Sequence, residues 1–342
     1  MQHTISRDRS SLFHRIGKLT FALTFIVVVL GAFVRLSDAG LGCPDWPGCY
    51  GHIGVPDSHH EVTAAEALFG QTVEPDKAWI EMIHRYAASA VGFLILIMCG
   101  IAAFRRKNVT QPVWTPFILL CLVIFQGLLG MWTVTLLVKP IVVSAHLIGG
   151  MSTLGLLWWI LLTQGRYFGP SSISNAYKLR RLAGFALAVL VVQTFLGAWT
   201  STNYAATACG SSFPSCQSQW WPAMDFSEGF VLWRGLGVNY EGGVLAHDAR
   251  TAIQVVHRIG AAVTTLVLAM LVIRLKFLER DDVLNQVGSL VALALAVQLS
   301  IGIAMVWLNM PLVAATAHNA GAALLLLSTL AAVRASTTTP GL

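Results

Sequence analysis

The sequence predicts an all-α polytopic membrane protein: eight transmembrane helices arranged as two tandem pseudo-symmetric four-helix bundles. Three observations predict it. The chain of 342 residues is 56% hydrophobic and only 11% charged, far below the roughly 25% charge of a soluble domain. It holds eight apolar runs long enough to cross a bilayer, which takes about 20 residues. The order of those runs, their loops and their polar residues repeats once. This composition excludes a soluble enzyme, and the net charge of +6 is not a nucleic-acid signal, because the basic residues flank the spans.

The predicted spans cover 18–36, 80–104, 113–137 and 141–164, then 183–201, 251–274, 284–308 and 311–333. The first run is long and lacks a small-residue cleavage site after it, so it reads as a retained helix rather than a signal peptide. Arg7, Arg9, Arg15 and Lys18 precede span one. Arg105, Arg106 and Lys107 follow span two; Arg166, Lys178, Arg180 and Arg181 follow span four. Arg274, Lys276 and Arg280 follow span six, and Arg334 follows span eight. These 15 of the 22 basic residues share one side, which the positive-inside rule makes cytoplasmic together with both termini. The other side carries two long loops, 38–79 and 202–250, and two tight turns at Lys139-Pro140 and Asn309-Met310-Pro311. A short interfacial helix is expected over His60–Gly70. Trp46, Trp79, Trp220, Trp221 and Trp233 suit a belt at that boundary.

The two halves align residue by residue. Leu30-Gly31-Ala32 matches Leu196-Gly197-Ala198, and the cysteine pair Cys43/Cys49 matches Cys209/Cys216. His84-Arg85 matches His257-Arg258, Gln126 and Gly130 match Gln298 and Gly302, and His146 matches His318. The halves share one orientation, which makes a parallel repeat. The domain division is a tail 1–17, a first bundle 18–165, a linker 166–182, a second bundle 183–334 and a tail 335–342.

Four of the ten histidines lie inside spans, on the second and fourth helix of each half, roughly 7–11 Å below the outer boundary at 1.5 Å per residue. An ionisable side chain in hydrocarbon is a functional candidate. Two facing imidazoles per bundle are the donor set for axial ligation of haem iron; a structural hydrogen bond between helices and another metal are the alternatives. Gly149, Gly150, Gly260 and Gly321, just after these histidines, leave room for a flat ring. Arg85 and Arg258 are candidate partners for haem propionates, with snorkelling as the alternative. The halves differ at Glu81, three residues before His84, where the second half has Gln254. A carboxylate there suits proton transfer or water positioning; the alternatives are exposure at the interface and pairing with Arg85. This asymmetry makes the first bundle the candidate reaction site.

The outer cysteines are spaced for local disulfides, Cys43–Cys49 and Cys209–Cys216, on a side where disulfides persist. A redox relay and a metal site using His52, His59 or His60 are the alternatives. Cys99 and Cys121 read as apolar packing.

On Arg35-Leu-Ser, Gly40-Leu-Gly-Cys-Pro-Asp-Trp-Pro, Glu81-Met-Ile-His84-Arg85, Ser144-Ala-His146, Val256-His257-Arg258 and Ala317-His318-Asn319, residues 15–335 resemble the haem A synthase family of membrane enzymes. The resemblance implies that His257 and His318 ligate a resident haem B. It implies that His84 and His146 hold the substrate haem O, with Glu81 needed for activity. The implied reaction oxidises a porphyrin ring methyl to a formyl group, giving haem A by successive hydroxylations with oxygen from water. It also implies redox roles for the first-loop cysteines, haem O synthase and cytochrome oxidase assembly factors as partners, and the bacterial inner membrane as the location. Membrane lipid surrounds such a chain, a homo-oligomer is compatible with it, and no nucleic-acid partner is expected. The same four histidines also fit a di-haem b-type electron-transfer protein, or a haem transporter or chaperone.

Overall fold

In the computed structural model, residues 2–104, 114–164, 167–168, 176–279 and 281–337 are described. Among them are ten helices: α1 (Gln2–Leu36), α2 (His59–Phe69), α3 (Pro75–Phe104), α4 (Trp114–Thr135), α5 (Pro140–Gln164), α6 (Ala176–Thr202), α7 (Phe226–Gly229), α8 (His247–Ile273), α9 (Asp282–Trp307) and α10 (Leu312–Ala335). Eight of these are long and apolar enough to span a membrane, as predicted. Of the orienting basic residues, Arg105, Arg106, Lys107, Arg166 and Arg280 lie outside the described residues.

The helix ends follow local chemistry. Pro75 and Pro140 open α3 and α5, where a missing N–H and a fixed φ cost nothing. Asp281 caps α9 by accepting from the Leu284 amide at 3.0 Å. The expected interfacial helix is α2, started by a Ser58/Glu61 capping box and stopped by Gly70 at φ 69°, the left-handed geometry that glycine adopts freely. The Ser58 and Asp57 amides hold the Glu61 carboxyl down at about 2, because they donate to its charged form.

Residues 2–17 are helical and continuous with α1, and residues 176–182 belong to α6. Backbone hydrogen bonds propagate a helix once the apolar segment has nucleated it. At the other end of α8 the chain runs through one π-helical turn, Arg274–Leu278.

The duplication extends to the backbone. Positive φ occurs at Asp38 and Tyr204, at Tyr50 and Gln217, and in the turns Leu137-Val138 and Asn309-Met310. These are aligned positions of the two halves, and none is glycine. Such a conformation costs of order 1 kcal/mol per residue, so the surrounding fold imposes it at both copies. Helices α1, α3, α4 and α5 pack on one another, as do α6, α8, α9 and α10. The halves meet where α1 and α5 lie against α10 and α5 lies against α6.

Each bundle is divided along its length. The buried apolar side chains concentrate toward the basic end: Phe13, Val91, Ile95, Met98, Leu119 and Leu157 in the first half, Leu190, Leu268, Leu271, Leu284, Val287 and Val291 in the second. Val28, Met151 and Leu154 interlock with Ala323 and Leu327 across the seam. These form the floor of the outer region, where the histidines sit.

At the seam, a Cβ added to Gly155 of α5 would lie 3.1 Å from Leu330 Cδ1 of α10, whereas Gly184 faces open space. Gly155→Leu is expected to destabilise the chain by about 1–3 kcal/mol through overpacking and to lower its unfolding midpoint in detergent. Gly184→Leu should leave the midpoint where it is.

Candidate functional site

Each of the four membrane histidines is seated against a glycine of a neighbouring helix. A Cβ added to Gly31 on α1 would lie 2.9 Å from the His84 ring, and one on Gly197 of α6 would lie 3.3 Å from His257. The same holds for Gly130 on α4 against His146 at 3.5 Å, and for Gly302 on α9 against His318 at 3.0 Å. At Gly31, Gly197 and Gly302 a Cβ would crowd the ring, whereas at Gly130 it would stand in ordinary contact with it. Each half contributes one such ring from its second span and one from its fourth.

Three membrane glutamines lie beside them. Gln193 Nε2 meets His257 Nδ1 at 3.1 Å and donates to the His257 carbonyl at 3.0 Å. Gln298 Nε2 meets His318 Nε2 at 3.2 Å. The glycines expected to make room for a ring instead face these amides: Gly149 faces Gln126, Gly260 faces Gln193 and Gly321 faces Gln298. Gly150 lies against Val28.

The donor set fits haem. Nδ1 of His84, His146 and His318 is buried and has no hydrogen-bond partner among the described residues. Unsatisfied imidazole nitrogens in an apolar bundle are costly, and an iron centre or a partner supplied with it removes that cost. No group of three or more His, Cys, Asp or Glu side chains among the described residues would hold a bare metal ion, so His52, His59 and His60 form no such site.

The outer loops cover the two bundles, each closed by its disulfide, Cys43–Cys49 and Cys209–Cys216. An arginine next to each second-helix histidine holds the loop down. Arg85 Nη1 donates to the carbonyls of Asp45 (2.9 Å), Pro47 (3.3 Å) and Gly48 (2.5 Å). Arg258 Nη1 donates to Ser212 (2.9 Å) and Ser215 (2.7 Å). Glu81 is 4% exposed. Its Oε1 accepts from Arg85 Nη2 at 2.5 Å and its Oε2 from the Cys43 amide at 2.9 Å. Of the alternatives for Glu81, pairing with Arg85 is the one the structure contains, with the loop amide added to it. Gln254 makes no such bridge. Its Oε1 has no partner among the described residues, and neither have Nε and Nη2 of Arg258.

Sequence reasoning used Gly31, Gly130, Gly197 and Gly302 only as repeat markers, and it missed Gln193. An amide within a span, without a counterpart at Val27, was the available signal for Gln193. It also missed a polar latch between the halves. There, Arg35 donates to the Ser201 carbonyl at 2.8 Å and lies 4.3 Å over the Tyr204 ring, while the Tyr204 hydroxyl donates to Asp38 at 2.6 Å. Trp46, Trp79, Trp220, Trp221 and Trp233 are exposed. Cys99 is buried and Cys121 is exposed, so Cys121 faces outward rather than packing inside.

These features define a class: a multi-pass membrane protein of two fused four-helix bundles, each with a glycine-seated histidine pair beneath a disulfide-closed loop. A sequence profile of the COX15-CtaA family, described as cytochrome oxidase assembly protein, matches residues 14–330. The chain is 43% identical over 312 residues to the Heme A synthase of Shewanella oneidensis, covering 91% of this chain and 92% of that one. It is 28% identical over 305 residues to the Heme A synthase of Shouchella clausii, covering 85% and 86%. With the Heme A synthase of Caulobacter vibrioides it shares 28% identity over 328 residues, 89% and 90% of the two chains. The chain belongs to the COX15-CtaA family of cytochrome oxidase assembly proteins.

The arginine clamps predict that loop one opens more readily without its guanidinium. Arg85→Ala removes hydrogen bonds from a charged donor, each worth about 1.5–3 kcal/mol. Reduction of Cys43–Cys49 by a water-soluble phosphine, followed by thiol alkylation, should be at least about tenfold faster. The Cys209–Cys216 rate should stay the same.

Proposed function

We propose that this chain is a haem A synthase, an oxidoreductase that converts a ring methyl group of its substrate haem O to the formyl group of haem A for terminal oxidases. The single observation that carries this reading is a matched pair of glycine-seated histidines in each half, combined with an acidic residue in one half only. His84 and His146 hold the substrate in the first bundle, 18–165. His257 and His318 hold haem B in the second, 183–334. When bound there, haem B supplies a redox centre for electrons leaving the substrate. Arg258 has its Nε–Nη2 edge buried and unpartnered among the described residues, and this planar fork suits a propionate carboxylate. In the first half the carboxylate of Glu81 already fills the Nη2 side of Arg85.

Glu81 holds the lid to α3, three residues from His84. This contact excludes water and fixes the loop over the substrate. For Glu81 to accept a proton from the reaction, its bond to Arg85 or to the Cys43 amide must open first. The basic ends face the cytoplasm and the disulfide loops face the periplasm of the inner membrane, following the positive-inside asymmetry. A haem O synthase supplies the substrate, and cytochrome oxidase assembly receives the product.

Co-expression with a haem O synthase, followed by pigment extraction and chromatography, tests the reading. Haem A in the extract is the expected result. Unchanged haem O would overturn it in favour of electron transfer or haem transport. Glu81→Gln should abolish haem A while leaving the spectrum of the second-half haem unaltered. Conversion that persists at the wild-type rate contradicts the role given to Glu81.

A further inference from the structure

The two halves differ at a second, coordinated place. Gln193 of α6 reaches His257 across Gly260, where a Cβ would lie 2.2 Å from Gln193 Oε1. At the aligned positions of the first half, Val27 replaces the glutamine and Ala87 replaces the glycine. The amide and the gap that admits it are therefore both missing beside His84, whose Nδ1 has no partner among the described residues. The fourth-helix histidines differ less, because a glutamine stands beside each histidine helix at Gly149 and Gly321; Gln298 meets Nε2 of His318, while Nε2 of Gln126 has no partner among the described residues.

We propose that Gln193 anchors His257 as a fixed ligand, while the Val27–Ala87 pair leaves His84 a releasable one. This rests on the reading that each half holds a haem between its two histidines. A metal-binding histidine is oriented by a hydrogen bond at its other ring nitrogen, and losing that partner typically costs about 10–100-fold in affinity. The Gln193 amide meets Nδ1, which leaves Nε2 of His257 to face a ligand. A neutral imidazole that gives Nε2 to iron carries its proton on Nδ1, so the amide then presents Oε1 to Nδ1–H and gives up its bond to the His257 carbonyl. The second half thereby keeps its haem. The first half, which must admit a substrate and discharge a product, swings or releases through His84. Gln193 is a positioning residue, since it acts through His257.

The test is haem transfer to apomyoglobin from the full-length protein loaded with haem B in detergent, followed by absorbance. His84→Ala leaves the second half as the only complete histidine pair, and His257→Ala leaves only the first, so each half is read separately. Release from the first half should be the faster. Gln193→Val, made with His84→Ala, should speed release from the second half about 10–100-fold. Val27→Gln with Ala87→Gly, made with His257→Ala, should slow release from the first half by a comparable factor; this reciprocal swap guards against simple misfolding of the Gln193 variant. Equal release rates from the two halves, unmoved by either swap, would overturn the inference alone. If His84→Ala and His257→Ala do not each remove one bound haem, the two-haem reading falls with it.

Discussion

The contact between an imidazole and a helix glycine governs the outer half of this protein. A histidine is expensive at membrane depth, and it is tolerated where it faces the bundle interior and finds a partner. Gly31, Gly130, Gly197 and Gly302 let four such rings press against neighbouring backbones. Everything else in each bundle is arranged around that seat. The apolar floor fills the basic end so that the helices cannot close over the rings. The clamped loop closes the other end. A side chain at Gly31, Gly197 or Gly302 would crowd the ring it faces, and at Gly130 one larger than a methyl would do the same.

Duplication supplied two copies of this seat, and the departures from symmetry give each copy its own character. At one site a carboxylate replaces an amide: Glu81 ties α3 to the disulfide loop, while Gln254 leaves Arg258 with an unfilled edge. At the other, an amide and a glycine replace a valine and an alanine, so His257 gains the partner that His84 lacks. Both departures fall on the second helix of a half or on the helix packed against it. The fourth-helix histidines each keep a glutamine beside them, bonded to the ring at His318 and with its Nε2 unpartnered among the described residues at Gln126. The changes of residue type are therefore concentrated around His84 and His257.

Much of this was legible in the sequence, for identifiable reasons. The spans follow from apolar length, which is summed over many residues and survives local exceptions. The four histidines stand out because so few polar groups share their depth. The helical run ahead of the first span was not legible, because Gln2–Ile16 carries no apolar stripe although its backbone continues the helix. The direction of Arg85 and Arg258 was not legible, since it depends on where a long loop folds back. The seats were hidden for a related reason: a glycine opposite a histidine is visible only once the rotation of two helices is known. Gln193 was open to discovery by comparing the halves, because the break at Val27 is as plain as the break at Glu81.

The central claim is that each half builds its own haem site from a glycine-seated histidine pair. Haem stoichiometry in glycine variants tests it most directly. Purified protein saturated with haem B and assayed as the pyridine haemochrome should hold two haems per chain with low-spin, bis-histidine spectra. Gly31→Val should remove one, Gly197→Val the other, and each should spare its partner. A single haem per chain, or two haems that survive both substitutions, would contradict the account.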